Sequence, residues 1–131
     1  MSRKRFITKP MPHKKVILFN HAAEVWFWYI RSERARREGA RTFNDQPNET
    51  RPCEPDDVYR FVMALRKAQK LRDEHLQVLA KFGWRESPPD PRLPNEERPL
   101  ILWNEALDRL KTIFVSKGIV RLDDRHYSLK A

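Results

Sequence analysis

Glycine and cysteine are scarce in this chain: three Gly and one Cys among 131 residues. Three glycines cannot build a Gly-rich phosphate cradle, and neither GxGxxG nor GxxxxGK occurs. The lone thiol, Cys53, excludes an internal disulfide framework and points to a reducing compartment, the cytoplasm. Long apolar runs are missing as well. The longest, Val25 to Ile30, falls far short of the ~20 residues a membrane span needs. The basic start Arg3-Lys4-Arg5 leads to Pro10 and Pro12, not to an apolar secretory core. A soluble chain without membrane contact is expected. His13, His21, His75 and His126 are not spaced to share a metal on one helix, so no metal or cofactor is expected.

Charge and aromatic bulk are plentiful. Lys and Arg number 27 against 18 Asp and Glu, a net +9, with a pI near 10.1. Four Trp, seven Phe and three Tyr supply packing volume despite a mean hydropathy of -0.80. The length suits one domain. Residues 1–50 hold 11 basic and 5 acidic side chains, so two-thirds of the excess lies there. A polyanionic partner follows, nucleic acid before anionic membrane. The bland alternative is a basic protein whose charges merely face solvent.

Residues 1–15 read as a flexible basic arm, and 16–131 as a single helical domain. Val16 to Phe19 is a short strand or the lead into a helix. A first helix is expected over 20–38, capped by Asn20 and stopped by Gly39. At 100° per residue Ala22, Val25, Trp26, Tyr29 and Ile30 share one face. Phe27, Arg31 and Arg34 lie nearly opposite, and Trp28 is on a flank. Residues 40–54 read as a loop. A second helix starts at Pro55 and ends near Lys70, with Val58, Phe61, Val62 and Leu65 inward. A third spans 73–82, stopped by Gly83, with Leu71 and Leu76 spaced as a hydrophobic staple across Arg72. Leu76, Leu79 and Phe82 point inward. Five prolines make 84–99 an ordered, irregular connector. A fourth helix over 99–117 carries Trp103, Ala106, Leu107, Leu110, Ile113 and Phe114 and stops at Gly118. The period then changes, and 118–129 reads as two short strands around Asp123-Asp124.

The run from Ala106-Leu107-x-x-Leu110 through Lys117-Gly118-Ile119-Val120-Arg121-Leu122 to Arg125-His126-Tyr127-Ser128-Leu129 resembles the last helix and wing of a winged helix-turn-helix domain. That resemblance covers about 25 residues. It implies a mainly α fold of four helices with a C-terminal β-hairpin, the second and third helices acting as a helical pair. The connector is longer than the turn that precedes a recognition helix. The outer face of the fourth helix, with Glu105 and Asp108 beside Arg109, Lys111 and Lys117, is nearly neutral.

Phosphate contacts are expected from Arg3, Lys4, Arg5, Lys14 and Lys15 of the arm and from Arg31, Arg34, Arg36, Arg37 and Arg41. The resemblance adds Arg121 and Arg125 on the wing. The competing reading pairs Arg34 with Glu38, and Glu33 with Arg37, along one solvated helix. Trp26 and Tyr29 are expected in the core. Phe27 and Trp28 are candidates for a partner surface or a dimer contact. Chemistry is thin: Cys53 acts as a nucleophile only beside a distant His, Asp56 and Asp57 fit a helix start, and Asp123 and Asp124 fit a turn. The expectation is a non-catalytic DNA-binding protein, DNA preferred over RNA, regulating or assisting transcription or replication. The alternative is a protein-binding adaptor or a small subunit of a larger assembly.

Overall fold

A computed structural model describes residues 15–39 and 49–122. Four helices make the body: α1 Ala22–Arg37, α2 Pro55–Lys67, α3 Asp73–Arg85 and α4 Glu97–Ser116. A 3-10 turn, Pro94–Glu96, leads into α4. Strands β1 Lys15–Val16 and β2 Glu49–Thr50 pair in parallel, and the Ile17 N–H adds a 2.8 Å bond to the Thr50 carbonyl.

α1 and α4 touch each other, and both α2 and α3 rest on them. That central position explains the aromatic girdle of α1. Trp26 and Ile30 face α3, and the Trp26 indole N–H donates to the Leu79 carbonyl at 2.8 Å. Phe27 meets Trp103 of α4, ring centroids 5.6 Å apart, and Trp28 meets Phe19 at 5.2 Å. A helix with neighbours on several sides needs bulk around most of its circumference, so a simple two-faced pattern was not available to it. Phe27 and Trp28, expected at a partner surface, are half-buried against the chain's own core.

The ends of the helices follow from their residues. α1 is capped one position later than expected: His21 Nδ1 accepts from the Glu24 N–H at 3.2 Å, while the Asn20 N–H donates to Glu24 Oε1. α2 opens on Pro55, where a missing N–H costs nothing, and the Asp57 carboxylate takes the Glu54 N–H at 2.9 Å. At α3 the expected cap at Arg72 is present, with Leu71 buried and Leu76 half-buried as the staple's two residues. Gly83 does not stop α3. It lies inside the helix, buried where α1 crosses, and the helix runs on to Arg85. Likewise α2 ends at Lys67, three residues before Lys70, and α4 begins at Glu97, with Pro99 in its first turn.

The connector after α3 is held by a knot of ion pairs and hydrogen bonds. Arg85 grips Glu96 through both guanidinium nitrogens, at 2.8 and 3.2 Å, and the Pro88 carbonyl at 2.7 Å. Glu96 also accepts the Asp90 N–H at 2.7 Å, and Arg92 closes on Asp90. Pro89 is buried beneath.

The expected C-terminal hairpin finds no support. The residues expected for its second strand, 125–129, lie outside those described. Its first strand turns instead to the N-terminal segment: Val120 bridges Phe19 in parallel, Phe19 N–H to the Ile119 carbonyl at 3.0 Å and Arg121 N–H to the Phe19 carbonyl at 2.9 Å. Phe19, Ile119 and Val120 are all buried, so this pairing closes over the core, and it lends the hairpin and the winged-helix likeness no support. What stands is a mainly helical domain.

Candidate nucleic-acid interface

Nineteen basic and fifteen acidic side chains fall in the described residues, a net +4; the other eight and three, net +5, lie in 1–14, 40–48 and 123–131. Arg3, Lys4, Arg5, Lys14, Arg41 and Arg125 belong to those segments and lie outside the described residues. Lys15 and Arg121 are exposed.

The arginines of α1 are mostly engaged within the chain. Arg34 pairs with Glu86 at the end of α3 and donates to the Trp84 carbonyl at 2.7 Å, its guanidinium 4.8 Å from the Trp84 ring. Arg31 reaches the same Glu86 at 4.0 Å. Arg36 bridges Glu33 at 3.3 Å and Asp56 of α2 at 3.4 Å. The i,i+4 pairs Arg34–Glu38 and Glu33–Arg37 expected for a solvated face are replaced by contacts that staple α1 to α2 and α3. Only Arg37 of this group makes no ion pair among the described residues; it is exposed and stacks over Trp84 at 5.1 Å.

A run of cations at the α2–α3 turn is not among the sequence candidates. Arg66, Lys67, Lys70 and Arg72 fall within seven residues, and Lys67 and Lys70 are exposed without an ion pair among the described residues. Their clustering was visible in the sequence, but they fit equally a helix C-terminus, where cations complement the dipole. Arg72 itself belongs to a network centred on the buried His75. His75 Nδ1 accepts the Arg72 N–H at 3.0 Å, which leaves Nε2–H to donate to Glu105 at 2.9 Å. That bond, with Arg72 and Arg109 nearby, holds the Glu105 carboxyl below the usual carboxylate range.

Between α1, α2 and α3 a groove of about 220 Å³ opens to solvent past Tyr59. Trp26, Tyr29 and Trp84 line it, with Glu33 and Arg37 beside them. Burial, the Glu33 carboxylate and Tyr59 push the Tyr29 phenol up to about 12, so its hydroxyl stays protonated.

The Cys53 thiol is held protonated. Burial and the Asp57 and Glu54 carboxylates push its thiol up to about 11, so the thiolate at pH 7 is about one part in ten thousand. Among the described residues no three His, Cys, Asp or Glu are grouped to hold a metal, and no helix is long and apolar enough to cross a membrane. Compared with protein-family models, curated proteins and solved structures, the chain matches none.

Proposed function

We propose that the chain is a non-catalytic DNA-binding protein whose affinity comes chiefly from its basic N-terminal segment, assisting transcription or replication. The observation that carries this reading is where the sequence concentrates basic residues without acidic ones. Arg3, Lys4, Arg5, Lys9 and Lys14 occur in fourteen residues without one carboxylate, and exposed Lys15 continues the run. The arginines of the helical body are largely neutralised by Glu33, Asp56, Glu86 and Glu96. Phosphate neutralisation releases counterions, so such a segment binds with a steep salt dependence and little sequence preference. Arg121, Lys67 and Lys70 are exposed cations that add to it, while Arg31 and Arg34 act as staples.

Fluorescence anisotropy with a labelled random-sequence duplex, titrated with salt, tests this. A slope of log K against log salt of about -4 or steeper is expected, since each phosphate contributes about 0.9. Replacing the five cations of 1–14 by Gln flattens the slope by up to about 4. Arg31→Ala with Arg34→Ala lowers the melting temperature more than it changes the slope. Absence of binding at low salt would overturn the proposal.

A further inference from the structure

The groove between α1, α2 and α3 is not used by phosphate contacts, and its chemistry is specific. Its volume of about 220 Å³ exceeds the roughly 150 Å³ in which an engineered apolar cavity holds benzene, and suits a one- or two-ring planar group. Its lining is aromatic rings and a soft side chain: Trp26 and Tyr29, with ring centroids 5.2 Å apart, Trp84 on α3, and Met63 on α2. Polar groups are also present. The Tyr29 and Tyr59 hydroxyls and the Glu33 carboxylate offer donors and acceptors that a hydrocarbon ring would leave unmatched. At the edge stands Arg37, the α1 guanidinium with no ion pair among the described residues, stacked on Trp84.

From these features we infer that the groove takes a single unstacked nucleobase of a DNA strand, stacked against Tyr29 and the exposed ring of Tyr59, with the adjoining phosphate on Arg37. Stacking on aromatics is how unpaired bases are held, and a carboxylate accepts from base amino groups. Arg37 supplies the charge complementarity that an aromatic side chain of a protein partner would not use. The inference rests on the reading of the chain as a DNA binder and adds a second mode to it: single strands, or bases displaced from a duplex, are bound through their bases as well as their phosphates.

The test compares a 12-nucleotide mixed-sequence single strand with an abasic strand of the same length, using the full chain and both anisotropy and tryptophan emission. Trp26 and Trp84 line the groove, so base entry quenches their emission. The natural strand is expected to bind about tenfold tighter than the abasic one, the scale of one stacked base. Tyr59→Ala removes most of that difference, and because Tyr59 is 52% exposed the variant folds normally. Tyr59→Phe, which keeps the ring, retains the larger part. Equal affinity for the two strands overturns the groove assignment and leaves phosphate binding standing. A base advantage untouched by Tyr59→Ala places the base elsewhere and overturns it too. Binding of neither strand removes the DNA reading itself. Quenching by N-acetyltryptophanamide but not by the oligonucleotide would make the groove a peptide site.

Discussion

At Gly83 a β-carbon would stand 2.7 Å from Trp26 Nε1 and 2.9 Å from Ile30 Cγ1. Neither neighbour can retreat easily. The indole is pinned by its bond to the Leu79 carbonyl, and Ile30 is buried. Gly→Ala inside a helix ordinarily gains about 1 kcal/mol from propensity. Here overpacking at a helix crossing costs about 1–3 kcal/mol, so the steric term wins. Gly83→Ala is therefore expected to lower stability by up to about 2 kcal/mol in urea denaturation; a stabilised variant would mean that α1 and α3 pack less closely. His75 makes the same point with polar atoms. It is 2% exposed, yet one ring nitrogen serves the α3 cap and the other serves Glu105, so no polar atom of the ring is unpaired.

The helices end by one shared device. In α2 the Gln69 N–H bonds the Arg66 carbonyl and the Lys70 N–H bonds that of Leu65, with Gln69 at φ 63°. In α3 Glu86 takes the same place, also at φ 63°, and in α4 Gly118 does so at φ 74°. This is the Schellman arrangement, which asks its pivotal residue to be left-handed. A side chain pays about 1–2 kcal/mol there, less the extra entropy glycine loses on folding. Gln69→Gly is thus expected to gain up to about 1 kcal/mol and to raise the melting temperature by about 3–5 °C. No gain would mean that the Gln69 side chain makes a compensating contact. The same geometry explains which boundaries could be read from residue types. Gly39 and Gly118 marked the ends of α1 and α4 because glycine advertises a left-handed position. Gln69 and Glu86 advertise nothing, so residue types alone put the end of α2 too late, and Gly83, a packing glycine, reads as a stop. Periodicity placed the core stripes of α2, α3 and α4 well, because each keeps its buried side chains to one stripe. It could not sort the Arg stripe of α1, whose partner Glu86 lies 52 residues from Arg34 and is brought near only by the fold.

Across the whole molecule, titration bounds the pH range in which these contacts hold. Four carboxyls sit below their ordinary range: Asp57 through the Glu54 N–H and then Arg60, Asp90 through Arg92, Glu96 through Arg85 and the Asp90 N–H, and Glu105 through His75. A carboxyl depressed in the folded state adds stability that is fully present above its unfolded pKa. That stability is lost as pH falls through the folded one. On the alkaline side the order reverses. Cys53, raised from 9.0 to about 11, and Tyr29, raised from 10.0 to about 12, are both held protonated by burial. Their contribution is complete below the unfolded values and is lost as pH climbs through the folded ones. Acid also removes the negative charges that offset 27 Lys and Arg, so self-repulsion grows at the same time. The melting temperature is therefore expected to be level from about pH 5 to 9 and to fall on both sides, more steeply in acid. Glu96→Gln, which removes the acceptor shared by Arg85 and the Asp90 N–H, should lower the plateau and shrink the acid-side drop, whereas Cys53→Ala should soften only the alkaline limb. Scanning calorimetry from pH 3 to 11 on these three proteins decides it. An acid drop that Glu96→Gln leaves unchanged would show that the connector knot contributes nothing to holding α3 and α4 together.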